Sequence, residues 1–200
     1  MKKEIPESIK IELLETRRLF NMVIEEMKSA DENLFSENKL NDSFYRRIII
    51  KNTFSIIETY IHIIKKSIKL YLTLEEPNKV SLDWTELIIL NEKKVLLDNK
   101  GNTKVKDEFQ KFEPNLRFTL NTFSKLFKIN KPEYGNTEFQ KLIVLSKRRN
   151  EITHPKKSND LNITKEELHD LIKSFGWFIK VNEKINSSYL IWLKEKLNTE

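Results

Sequence analysis

Residues 49–71 read Ile49-Ile50-Lys51-Asn52-Thr53-Phe54-Ser55-Ile56-Ile57-Glu58-Thr59-Tyr60-Ile61-His62-Ile63-Ile64-Lys65-Lys66-Ser67-Ile68-Lys69-Leu70-Tyr71. Ile50, Phe54, Ile57, Ile61, Ile64, Ile68 and Tyr71 follow one another at steps of 4, 3, 4, 3, 4 and 3 residues. Such spacing lays one apolar stripe along an α-helix, whereas a strand would alternate every second residue. Ile49, Ile56, Tyr60 and Ile63 widen the stripe. The spacing therefore predicts a helix from about Asp42 to Leu72 at the centre of a helical bundle. Its remaining face carries Arg47, Lys51, Ser55, Glu58, His62, Lys65 and Lys69. Glu58 and His62 are four apart and can touch. This face is either a solvated stripe or the border of a functional groove.

Helical spacing recurs on both sides of that element. Pro6 suits a first helical turn, and Ile9, Leu13, Phe20, Val23, Ile24 and Met27 predict a helix to about Ser29, followed by a polar loop over Ala30–Leu40. Between Glu75 and Lys111 the pattern breaks into short apolar runs around a turn signal, Asp98-Asn99-Lys100-Gly101-Asn102. We read a hairpin or loop insertion over about 77–106, packed on the bundle by Trp84. Leu116, Leu120, Phe123 and Phe127 predict a third helix over about 114–128. Thr137 is positioned to cap a fourth, with Phe139, Leu142, Ile143 and Ser146 facing inward. Thr164-Lys165-Glu166-Glu167 fits a capping box for a fifth, in which Gly176 implies a kink or a close helix contact. A separate terminal helix is expected over about 187–198. The fold class is thus all-α, a single domain over residues 1–200 of five or six helices with a small insertion.

Composition narrows the function. Only 3 glycines leave little room for an all-β sandwich or a glycine-rich phosphate loop. The absence of Cys excludes disulfides and thiolate metal sites, and 3 His residues argue against a His-rich zinc site, so no metal and no cofactor are expected. No apolar run reaches the roughly 18 residues of a bilayer span, and the N-terminus lacks a signal-peptide core. The expectation is a cytoplasmic protein without membrane contact. The net charge of +6 favours a polyanionic partner.

One stretch carries chemistry. Lys147-Arg148-Arg149-Asn150-Glu151-Ile152-Thr153-His154-Pro155 closes the fourth helix. Arginine offers phosphate a fixed fork of donors, and histidine is the side chain suited to proton transfer near neutral pH. The bland alternative is a capped helix end, with the imidazole near the last carbonyls and the basic run in water. Arg149 and His154 are five residues apart, about 140° around a regular helix, so an undistorted helix cannot aim both into one small pocket. Either the helix unwinds before Pro155 or two copies of the motif meet.

The arrangement Arg149-Asn150-x-x-x-His154-Pro155 resembles the Arg-x(4–6)-His motif of the HEPN family, the higher eukaryotes and prokaryotes nucleotide-binding domains. The resemblance implies a helical bundle and a metal-independent RNA endonuclease, as in toxins or anti-phage effectors. It implies catalytic roles for Arg149, His154 and Asn150, with Lys147, Arg148, Lys156 and Lys157 binding RNA. It also implies a homodimer, because such enzymes build a groove from two motifs and this chain has one. An antitoxin or defence partner protein belongs to the same setting. HEPN sequences often carry an acidic residue in the long helix, which draws attention to Glu58, with His62 beside it. Some HEPN toxins have Tyr two residues after the His, and here that position is Lys156, so pairing with a nucleotidyltransferase antitoxin is not implied. The competing readings are a non-catalytic HEPN-like module that binds RNA or protein, and a helical interaction domain.

Overall fold

The structure, a computed structural model, describes residues 5–34, 42–75 and 82–197, with side chains for all of these except 24 and 26–34. Its elements in chain order are α1 (Glu7–Leu34), α2 (Ser43–Leu74), α3 (Trp84–Leu90), β1 (Lys93–Leu97), β2 (Thr103–Asp107), α4 (Phe112–Phe127), α5 (Thr137–Thr153), a 3-10 turn (Ser158–Leu161) and α6 (Lys165–Leu197). Helices form the bundle, and the two strands form one antiparallel hairpin. No helix among the described residues is long and apolar enough to cross a membrane.

α2 is the axis. The Asp42 carboxylate accepts the Phe44 N–H at 2.7 Å, which satisfies one free donor of the first turn. Ile50, Phe54, Ile57, Ile64 and Ile68 have no exposed surface, and the second row, Ile49, Ile56, Tyr60 and Ile63, is buried too. α1, α4, α5 and α6 all pack on this helix. Burying one such side chain contributes about 1.5–3 kcal/mol. Tyr60 stacks edge-on against Phe20 of α1 at 5.4 Å and Phe178 of α6 at 5.8 Å. Its buried hydroxyl donates to Asn186 Oδ1 at 2.6 Å.

Several expectations need correction. The terminal segment is no separate helix, since α6 runs unbroken for 33 residues. Leu168, Leu171, Phe175, Phe178, Asn182, Ile185, Tyr189 and Trp192 form one buried stripe. Asn182 occupies a core position, so the apolar pattern lapses in the sequence while the helix continues. Gly176 marks no close contact, because an added Cβ would meet nothing within 4 Å. α1 continues to Leu34, so Ala30–Leu34 is helix and not loop. None of those residues is a Gly or Pro breaker. The rest of that expected loop, 35–40, and the side chains of Ile24 and Met27 lie outside the described residues, as does Pro77. α5 is capped by Asn136, which accepts the Phe139 N–H at 2.9 Å, and not by Thr137.

The insertion is a short helix followed by the hairpin. Trp84 does not pin it, being 69% exposed at the first position of α3. Leu82 and Leu90 are buried in its place. Lys65, expected on the solvated face of α2, is buried and donates to Glu92 Oε1 at 2.8 Å and Gln110 Oε1 at 3.0 Å. Burial lowers the Lys65 pKa, an effect the Glu92 carboxylate opposes. The turn is built by Asp98, which accepts the N–H groups of Lys100 and Asn102, while Gly101 takes a left-handed φ of +77°.

Candidate functional site

α5 turns Phe139, Leu142, Leu145 and Ser146 inward. Arg149 continues that face three and four residues later, so it is aimed at α2. Its Nη2 donates to Glu58 Oε1 at 2.6 Å and its Nη1 to Oε2 at 3.4 Å. The guanidinium lies 5.6 Å from the Phe54 ring centroid, a cation–π distance. The side chain is 21% exposed and Glu58 is 40% exposed, while Arg149 Nε is buried with no partner. Glu58 therefore fixes the guanidinium and offsets its charge. It makes no hydrogen bond to His62, which stands exposed one turn further along α2.

The last helical residue of α5 is Thr153. His154 leaves the helix with φ −127° and ψ 65°, its N–H donating to the Asn150 carbonyl at 2.9 Å. Pro155 explains the stop, because the residue before proline avoids the helical region. The helix stays regular through Thr153 and ends at the histidine, while Arg149 faces α2. The His154 side chain is exposed, as are Asn150, Lys147, Lys156 and Lys157. Asn150 meets His154 through its backbone carbonyl, and its side-chain amide makes no hydrogen bond to that residue or to Arg149.

Arg148 is the main departure from the expected groove. It points away from Arg149 and spends its donors on structure. Nε donates to Glu167 at 2.8 Å, Nη1 to Glu151 at 2.8 Å, and Nη2 to the carbonyls of Asn162 at 2.7 Å and Asn159 at 3.3 Å. Partial burial works against its charge, but the Glu151 and Glu167 carboxylates prevail and raise its pKa. Glu167 also closes the expected capping box, accepting the Thr164 N–H at 2.8 Å. Beside Arg148, between α5 and α6, lies a cleft of about 380 Å³. Most of its charges are cross-paired among the described residues, Lys141 with Asp170 and Arg148 with Glu151 and Glu167, which leaves Lys147 as the lining cation without an ion pair.

Two further arginines hold the loop after the motif: Arg47, which the sequence places on the polar face of α2, and Arg46, which no pattern marks. Arg46 donates to the Ile163 carbonyl at 2.7 Å and Arg47 to the Leu161 carbonyl at 3.0 Å. Within the loop, Asp160 accepts the N–H groups of Lys156 and Lys157 at 2.8 and 3.0 Å. These backbone donors hold its carboxyl below the usual carboxylate range. The contacts also orient α5. Arg149 meets Glu58, and the chain beyond it meets Arg47 and Arg46, so α5 runs antiparallel to α2. His154 thus lies on the Ser55 and Lys51 side of Arg149, and His62 on the other.

Among the described residues, no group of three His, Asp or Glu side chains converges as metal ligands would. Comparison with family models, curated proteins and solved structures finds no match to this chain.

Proposed function

We propose that the chain is an RNA endonuclease of the HEPN type that needs no metal and works as a homodimer. The supporting observation is the pair Glu58–Arg149, which fixes a guanidinium five residues before an exposed histidine at a proline-forced helix stop. In the reaction a ribose 2′-oxygen attacks the adjacent phosphorus. The 2′-O–P bond forms and the P–O5′ bond breaks, leaving a 2′,3′-cyclic phosphate and a 5′-hydroxyl. His154 takes the 2′-OH proton or gives one to the departing 5′-oxygen. Arg149 offsets the charge that develops on the phosphoryl oxygens. The partner copy's histidine fills the role its counterpart does not. Lys147, Lys156 and Lys157 hold flanking phosphates as exposed cations. A toxin or anti-phage effector is the setting that the resemblance implies.

One observation favours the second reading, a non-catalytic module that binds RNA or protein. Glu58 already offsets the charge that a transition state would use. Incubating purified protein with total RNA in EDTA separates the two. The nuclease reading expects fragments ending in cyclic phosphate from the wild type and none from the Arg149→Ala/His154→Ala double variant. RNA binding with no cleavage supports the module. Cleavage only with added magnesium or manganese contradicts the assigned site.

A further inference from the structure

We infer that the β1–β2 hairpin is a single-strand RNA-binding arm continuous with the motif; the inference rests on the RNA reading of Arg149 and His154. Lys94 stands directly opposite Lys106, and Leu96 opposite Lys104, so three lysines share one face of the ribbon. Directly opposed like charges destabilise a two-stranded sheet. The acids at either end relieve this only partly: Lys94–Glu108 and Lys104–Asp98 stand at 3.7 and 3.5 Å, and Lys106 is exposed with no ion pair. Exposed pairs of this kind are worth little and give way to phosphates. At the root of the hairpin Phe109 is 95% exposed, a free ring face for a nucleobase. Lysines along a ribbon and a bare aromatic ring at its root are the two side-chain types that single-strand recognition uses, one for phosphates and one for a base.

Position links the arm to the motif. Lys65, which anchors the hairpin through Glu92, lies seven residues after Glu58, which grips Arg149. Seven residues are two turns, about 10 Å along one side of α2. His62 is exposed between them. A strand leaving His154 across Arg149 therefore passes His62 and reaches the hairpin root. The strands then extend about 17 Å further.

The test uses the 200-residue chain carrying His154→Ala and a labelled single-stranded RNA of about 20 nucleotides and mixed sequence. Lys94→Gln/Lys104→Gln/Lys106→Gln should weaken binding about a hundredfold at 0.1 M salt and lower the log–log salt slope by about 2, since each single-strand phosphate contact contributes about 0.7. Phe109→Ala should weaken it about tenfold while leaving the slope unchanged. The variants change side chains that are exposed or, at Lys94, half-buried, and circular dichroism checks that they fold. Affinity and slope equal to those of the parent would overturn the arm, and the exposed Val95–Val105 face would then be better explained as a protein-docking surface. Wild-type cleavage in EDTA is scored separately. Cleavage with hairpin-insensitive binding removes the arm alone, and hairpin-sensitive binding without cleavage keeps the arm and removes the nuclease.

Discussion

Arg148 and Arg149 are neighbours in sequence and opposites in use. Arg148 ties α5 to the following loop and to α6, with its donors placed on two carboxylates and two carbonyls. Arg149 lies across α5 from it, held by one carboxylate over an aromatic ring, with an exposed histidine beyond the helix end. A basic run on a helix is thus not one patch. Rotation by a single residue decides whether a cation builds the scaffold or faces the site.

The contrast breaks most visibly in cleavage. Arg149→Ala should lower the rate of RNA cleavage about 10²–10³-fold through lost charge stabilisation. His154→Ala should lower it by about a hundredfold or more through lost proton transfer. Urea denaturation should find His154→Ala close to the wild type in stability, because that side chain is exposed. Arg148→Ala should do the reverse. Hydrogen bonds to charged groups are worth about 1.5–3 kcal/mol each, so its loss should cost about 2 kcal/mol or more in the same measurement. Glu58→Gln sharpens the comparison from the other partner. If Glu58 positions Arg149, cleavage should fall while RNA affinity does not, since the change adds no negative charge.

Smaller effects belong to the loop. Lys156→Gln/Lys157→Gln should weaken RNA binding most at low salt and lower the salt slope by about 1.4. Asp160→Asn should show a pH dependence whose sign is fixed. The carboxyl is held below its ordinary value by two backbone N–H groups. Its contribution is therefore present above the unfolded carboxyl pKa of about 3.9 and is lost as pH falls through the depressed folded value. The stability difference between variant and wild type should be constant from about pH 5 upward and shrink in stronger acid.

Legibility in the sequence followed burial. α2 could be read because its stripe is apolar at every step and buried along its length. Arg149 continues the inward phase of Leu142 and Ser146, but its charge suggested an exposed helix end. Arg148 could not be placed, because apart from Glu151 on its own helix its partners lie 11 to 19 residues downstream, at and beyond a loop with no periodicity. The continuity of α6 was hidden by one polar residue, Asn182, at a core position. Lys65 was misplaced for the opposite reason. Its charge suggested solvent, and the carboxylate that allows its burial, Glu92, belongs to an insertion whose docking no pattern announces.

The division between the two arginines is tested most directly by single-turnover cleavage of one defined RNA in EDTA, comparing Arg149→Lys with Arg148→Lys. Lysine keeps the charge but loses the fork. The account predicts a loss approaching a hundredfold for Arg149→Lys, the scale of one lost transition-state donor, and at most a small change for Arg148→Lys where that variant remains folded. Equal rates for the two variants, or a larger loss at Arg148, would contradict it.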